Sequence, residues 1–299
     1  MIVFASHIGD HVAYSRFVAP SIRAVAESDS VVLTFATVDG ASRNNNLLLE
    51  AAREIGGLEA LVLLNEYTEI IDAEFAAKVR SALQDPLVGV VGCLGGRRFR
   101  GCTWSNGEVS GVDIEHRYRE LGGGSMTLFE SRDVTSGLGE VDAVDGMLMV
   151  LSPWAVKNVD FDEAFTAAHG YDVDYCRQIK AAGRTVVTAD LGVRRHHPLE
   201  LRPHHALRVA VHMQVAQKWD LADQDEDPNS ERWKQRARRA EAELSASRAH
   251  AQSKLLDSDV NIAERTKALE VYTKTYSWQL TEPLRWANAK RAARKAARS

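Results

Sequence analysis

Asp172 and Asp174 stand two residues apart near the start of segment 169–197, HGYDVDYCRQIKAAGRTVVTADLGVRRHH. They front a helix-like run that Gly183 interrupts. The β-branched run 185–188 follows, and the segment closes on His196 and His197. A carboxylate within reach of a hydroxyl can take its proton as a general base. An imidazole serves a hard divalent cation when carboxylates share the coordination. An acid at a helix mouth and a His pair just past a strand would meet at one edge of a sheet, so a base and a metal ligand are expected here. The same residues have plainer readings. Asp172 is also a cap or first-turn acid that stabilises its helix, and the histidines are also loop residues beside Arg194 and Arg195.

The elements that must position these groups follow from the hydrophobic pattern. Short apolar runs at 2–5, 31–38, 61–64 and 89–93 have strand length, and helical spacing covers 18–26, 44–55 and 75–83. Strands alternating with helices imply βαβ units, a mainly parallel sheet and right-handed crossovers. Ligands of such sheets sit beyond the carboxyl ends of strands. The polar clusters around Ser6, Asp39 and Asn65–Glu66 fall there. From 95 to 139 glycines, arginines and aromatics mix without period, which reads as turns and mobile loops. Regular α/β texture resumes at 141–150. An amphipathic helix is expected over 206–219, a polar linker over 221–230, and a long helix from 231 to about 275 whose apolar seam is broken by alanine, serine and charge.

The 299 residues suit one large domain plus an appendage, and 45% hydrophobic content is ample for a sizeable core. No apolar run reaches the roughly 20 residues that span a bilayer. The opening MIVFASHIGD reads as a first strand rather than a signal peptide. Cys93, Cys102 and Cys176 lack metal-site spacing and are expected as reduced, cytoplasmic thiols. Charge divides the chain: residues 231–299 hold 16 Lys and Arg against 8 Asp and Glu, leaving 21 against 33 for residues 1–230. An acidic body with a basic tail suggests that the tail meets an anionic surface.

The stretch VDAVDGMLMVLSPWAV, then FDEAF, then HGYDVDYCRQIKAAGRTVV and the HH pair, resembles the C-terminal half of a GT-A fold glycosyltransferase of family two. RNNNLLLEAAREIGGLEALVLLNEYTEI is similar to the first half of that family, where an Asn-led helix precedes a strand and an acidic loop. VGVVGCLGGRRFRGCTW resembles its middle strand and glycine loop. The resemblance covers about residues 1–220. Beyond it, YSWQLTEPLR resembles a phrase that often ends long-helix extensions on bacterial sugar transferases. The implied architecture is a Rossmann-like α/β domain (1–220), a linker (221–230) and a helical, coiled-coil-like or dimeric extension (231–299).

The resemblance implies an inverting glycosyltransferase that moves a sugar from a nucleotide-sugar donor to a glycan, polysaccharide or lipid-linked acceptor, in envelope glycan synthesis. It implies Asp172 as the base, Asp145 and His169 on the acceptor side, and Ser6, Asp39 and Asn46 as nucleotide contacts. A divalent cation, Mn²⁺ or Mg²⁺, would be held by Glu66, or by Glu69 in its place, with His196 or His197. Tyr67 departs from the family here, standing where a second acid belongs, and a phenol does not replace a carboxylate on a hard cation. Arg97, Arg98 and Arg100 would meet diphosphate or an anionic acceptor, or form a solvated face. The basic stretch 285–298, with Trp278 and Trp286, has the composition of a helix on an anionic bilayer at the inner face of the cell membrane. No specific nucleic-acid partner is expected. The alternative is a non-catalytic GT-A-like scaffold that works through its helical tail; a metal-dependent hydrolase lacks an HExxH-like motif, and a nucleotidyltransferase lacks a Gly-rich phosphate loop followed by Lys.

Overall fold

A computed structural model describes residues 1–37, 40–112, 114–118, 125–126, 134–136, 138–167, 169–197, 205–219, 228–275 and 281. The strands, in chain order, are β1 (Ile2–Ile8), β2 (Val31–Ala36), β3 (Ala60–Leu64), β4 (Thr68–Ile70), β5 (Val88–Gly92), β6 (Leu94–Arg97), β7 (Glu108–Gly111), β8 (Glu115–Tyr118), β9 (Ser125–Met126), β10 (Val134–Ser136), β11 (Glu140–Val141), β12 (Ala143–Val144), β13 (Leu148–Leu151), β14 (Thr185–Thr188) and β15 (Val193–His197). The helices are α1 (His11–Ala13), which runs through a π turn at Tyr14–Val18 into α2 (Ala19–Val25), then α3 (Ala41–Arg53), α4 (Phe75–Ala82), α5 (Pro153–Asn158), α6 (Tyr171–Ala181), α7 (His205–Trp219) and α8 (Pro228–Thr273).

Seven strands form the central sheet in the order β11-β14-β5-β13-β3-β1-β2. β1 lies parallel to β2 and β3, and β14 lies parallel to β5. β13 runs antiparallel between β3 and β5, and β11 is an antiparallel edge. Every residue of β3, β5 and β13 is buried, as expected of strands covered on both faces. The GT-A-like expectation of a mainly parallel sheet with flanking helices is met, and so is a helical C-terminal region.

Two smaller sheets were not anticipated. One has the order β10-β7-β6-β12, the other β4-β15-β8-β9. Part of the glycine-rich stretch expected as mobile loops is therefore paired strand. Gly95 shows why glycine belongs in it: a Cβ there would fall 2.3 Å from the Ala143 carbonyl oxygen of the neighbouring strand. The His pair, expected just past a strand, lies inside one. β15 pairs antiparallel with β4 and parallel with β8.

The chain divides into two compact units, Met1–Gln252 and Ser253–Ser299. Within the first, Ala242 and Ala246 of α8 are buried with Val209 and Met213 of α7, and Thr103 and Ser245 hydroxyls meet at 2.8 Å. In the second, Ile262, Leu269 and Val271 of α8 are exposed. The expected linker falls mostly outside the described residues, as does the basic stretch 285–298. Among the described residues no helix is long and apolar enough to cross a membrane.

Candidate active site

α6 starts at Gly170, whose backbone is left-handed (φ 82°) and whose missing side chain leaves room for Val211 of α7. No side chain caps the helix, so its first turn carries the acids: Asp172 and Asp174 lie within it rather than in front of it. Two residues along a helix turn a side chain by about 200°, and the two acids accordingly separate. Asp174 is buried and holds α7, accepting from Trp219 Nε1 at 2.7 Å and Gln178 Nε2 at 2.8 Å, with Lys218 Nζ at 2.8 Å. Asp172 instead reaches the Asp145–Gly146 turn that precedes β13. Its Oδ2 accepts from the Gly146 N–H at 3.0 Å and its Oδ1 from the Val173 N–H at 2.9 Å.

Burial, reinforced by the nearby Asp145 charge, lifts the Asp172 carboxyl to about 6, and these backbone N–H groups only partly oppose the rise. Asp145 accepts from the Met147 N–H at 2.8 Å, and Arg195 Nη1 lies 3.8 Å from its Oδ1. Tyr171 donates to the Gly146 carbonyl at 3.2 Å, and burial raises its phenol well above its ordinary value. Gly146 is thus gripped from one side; a Cβ on it would lie 2.5 Å from the Tyr171 hydroxyl.

A recess beside this turn is lined by His7, Asn45, Asn65, Gly146, Met149 and Tyr171. Asn65 anchors its floor, its N–H donating to the Met147 carbonyl at 3.0 Å. His7 is held towards neutrality by burial, with Nδ1 3.4 Å from the Thr37 hydroxyl. Neither expected neighbour lines the recess. Ser6 lies within β1, because the strand runs on to Ile8; alternation turns it away from His7, and its buried Oγ has no hydrogen-bond partner. Asn46 is turned about 100° from Asn45. Its amide donates to the Phe161 carbonyl at 2.9 Å and to Glu163 at 3.0 Å, and accepts from the Phe161 N–H at 2.8 Å. It therefore clamps α3 to the FDE segment. Asp39 lies outside the described residues. His169 is exposed immediately before the α6 start.

The expected cation ligands do not assemble. Glu66 Oε2 accepts from the N–H groups of Gly9 and of Asp10, the latter at 2.8 Å, and so ties down the turn before α1. His196 Nε2 lies 2.7 Å from Glu69, not Glu66, and its ring stacks on Phe17 at 3.6 Å. Burial lowers the His196 pKa although Glu69 opposes this. His197 contributes backbone to β15, while its side chain is outside the described set. Tyr67 points its hydroxyl to Asp10 Oδ2 at 3.4 Å. Among the described residues no group of three His, Cys, Asp or Glu could hold a metal ion. Among the described residues, Glu66 and His196 are engaged apart from each other and do not fit the implied cation set. Arg98 and Arg97 meet Glu108 at 2.7 and 3.8 Å, and Arg100 lies 3.9 Å from Glu241.

Residues 29–227 match the glycosyltransferase-like family. The chain belongs to that family. A curated relative, streptomycin biosynthesis protein StrF of Streptomyces griseus, is 26% identical over 199 residues, 66% of each chain. This glycosyltransferase-like chain therefore spans just under two thirds of that relative's length. Solved structures similar to it include the mannosyltransferase PcManGT of Pyrobaculum calidifontis, in complex with GDP-Man and Mn²⁺, at 14% identity, TM-score 0.46 and coverage of 93% of this chain and 81% of that one. TarS 1-349 of S. aureus follows at 11% identity, TM-score 0.41 and coverage of 77% and 68%. The family match includes Asp145, Asp172 and both β15 histidines. It leaves out β1, and with it His7, and all of α8. His7 and Arg195 had no motif of their own in the sequence, and Asn45 and Glu69 stood beside the preferred Asn46 and Glu66; each acquires its place through contacts with distant segments.

Proposed function

We propose that this protein is an inverting glycosyltransferase that moves a sugar from a nucleotide-sugar donor to a hydroxyl of a glycan, polysaccharide or lipid-linked acceptor. The observation that carries the reading is the Asp172 carboxyl, lifted to about 6 and held by the Gly146 and Val173 N–H groups against the Asp145 turn. A base with its pKa near the working pH is ionised yet basic enough to accept a proton. In the reaction the acceptor oxygen attacks the anomeric carbon from the face opposite the leaving group. The bond from that carbon to the diphosphate oxygen breaks, and its electron pair leaves with the nucleoside diphosphate. Asp172 takes the acceptor proton as the oxygen attacks. Asp145, fixed by the Met147 N–H and faced by Arg195, orients the acceptor, with His169 at the rim. The recess at His7, Asn45 and Asn65 takes the donor. No step is routed through a divalent cation, because Glu66 and His196 are engaged elsewhere. A role in envelope glycan synthesis, at the inner face of the membrane, is supported by the six basic residues that follow Glu282. The exposed Ile262, Leu269 and Val271 support a homodimer through α8.

The test is a thermal-shift panel of UDP, GDP, dTDP and CDP, each with and without Mn²⁺ or Mg²⁺. A ligand of the native state raises its stability by about 2.7 kcal/mol at a hundred times its dissociation constant. One base should shift the melting temperature selectively, with the same shift in both ionic conditions. A shift that needs the cation would keep the transferase and overturn its cation-free chemistry. No shift with any nucleotide would remove the proposal.

A further inference from the structure

Arg208 sits in the first turn of α7. Its Nε is buried and has no hydrogen-bond partner, and no carboxylate pairs with it among the described residues. The arginines around the acids differ: Arg194 pairs with Glu69 and Glu115, and Arg195 faces Asp145. Arg208 precedes Val211 by three residues and His212 by four, so the three share one helix face. That face packs on the loops bordering the base. A Cβ on Gly170 would meet Val211 at 2.5 Å and Cys102 at 3.5 Å, and one on Gly101 would meet the His212 ring at 2.2 Å. Gly170 is two residues from Asp172. The Cys102 thiol, pushed up to about 11 chiefly by burial, also feels the charges of Asp172 and Arg208, as expected if both lie in its neighbourhood.

A guanidinium with a buried, unpartnered N–H is unfavourable in the free protein. An anion that enters beside it with the substrate would satisfy that group only when the site is loaded. We propose that Arg208 is a specificity-determining residue that binds an oxyanion of the substrate, a phosphate or carboxylate, next to the base Asp172. Its place on the α7 face that packs against Gly170, at the head of α6, and outside the residues that line the recess, favours a group carried by the acceptor, with the donor diphosphate as the other source of the same chemistry. The inference rests on the transferase reading.

The experiment compares wild type with Arg208→Met and Arg208→Lys. Apo melting temperatures are measured, and calorimetry at low salt uses inorganic phosphate, glucuronate, glucose and the nucleoside diphosphate selected by the panel. Arg208→Met should melt no lower than wild type, since it removes an unpaired buried donor. It should bind phosphate and glucuronate about tenfold or more weakly, the loss expected of one charge-assisted hydrogen bond. Arg208→Lys should retain part of that affinity. An unchanged nucleoside diphosphate affinity would assign the anion to the acceptor; a parallel tenfold loss would assign it to the donor diphosphate. Unchanged binding of all the anions, or wild-type protein that binds phosphate and glucuronate no better than glucose, would overturn the proposal. So would a lower melting temperature with unchanged binding, which marks a structural arginine. A wild-type protein that binds no nucleotide would instead overturn the transferase reading itself.

Discussion

Replacing Asp172 with Asn should make the protein more stable and nearly inactive at neutral pH. The Asp172 carboxyl moves from 3.8 to about 6 on folding. A shift of about two units corresponds to roughly 3 kcal/mol, taken as an upper bound for a part-buried group. The native state holds the proton more tightly than the unfolded chain. Its stability contribution is therefore fully present below 3.8 and lost as pH rises through about 6. At pH 7.5 the ionised carboxylate thus destabilises the fold, and Asn removes that cost. Asn keeps one of the two acceptor roles to Gly146 and Val173 and loses the other, at about 1 kcal/mol. The net expectation is about 2 kcal/mol of added stability at pH 7.5, shrinking to nothing or reversing near pH 4. For a unit of this size that is a rise of roughly 4–8 °C in melting temperature. Denaturant titrations of both proteins at pH 7.5 and pH 4 measure it. In parallel, nucleoside diphosphate release in the presence of acceptor should fall by about two orders of magnitude or more. The wild-type kcat/KM should show an acid limb near pH 6, absent from the variant's residual rate. A variant whose stability differs from wild type by the same amount at both pH values would refute the buried-carboxylate argument. Undiminished transfer would refute the role of base.

Gly146→Ala should disturb the same turn from the other side. The new methyl would meet the Tyr171 hydroxyl at 2.5 Å and Asp172 Cβ at 3.2 Å, so either Tyr171 or the base must shift. A destabilisation of about 1–3 kcal/mol is expected, with kcat reduced more than KM; unaltered steady-state kinetics would show that the turn does not position the base. Asn46→Ala removes three hydrogen bonds to Phe161 and Glu163. It should lower stability by about 2–3 kcal/mol while the nucleotide-induced shift persists. Loss of that shift in a protein that still melts cooperatively would return Asn46 to the nucleotide site.

Most of the central sheet was readable in the sequence because its signals are local. Continuous apolar runs of strand length marked β1, β2, β3 and β5, and helical spacing marked α3, α4 and α7. The run before Gly183 was recognisable as a helix with acids at its start. The antiparallel pieces were harder. β15 exists because residues 193–197 pair with 68–70 and 115–118, partners far away in the chain, and the glycines of β6 fit only against a backbone they cannot signal.

By itself the sequence determined the α/β alternation, the family motifs and an acid at the head of α6, all of which depend on residue type and short-range period. It could not decide which of two neighbouring polar residues faces the site. Asn45 rather than Asn46 lines the recess because residues 161–163 bind the other face of α3. Glu69 rather than Glu66 meets His196 because β4 pairs with β15 while Glu66 serves the turn at Gly9 and Asp10. The resemblance had favoured Asp172 over Asp174, and packing gives the reason: α7 supplies a cation and an indole N–H to Asp174 and leaves Asp172 to the Asp145 turn. In each pair the residues have the same or nearly the same chemistry. Each step along a helix or strand swings a side chain by about 100° or 180°, so residues one to three positions apart face different partners, and the partner brought to each side by tertiary packing decides the role.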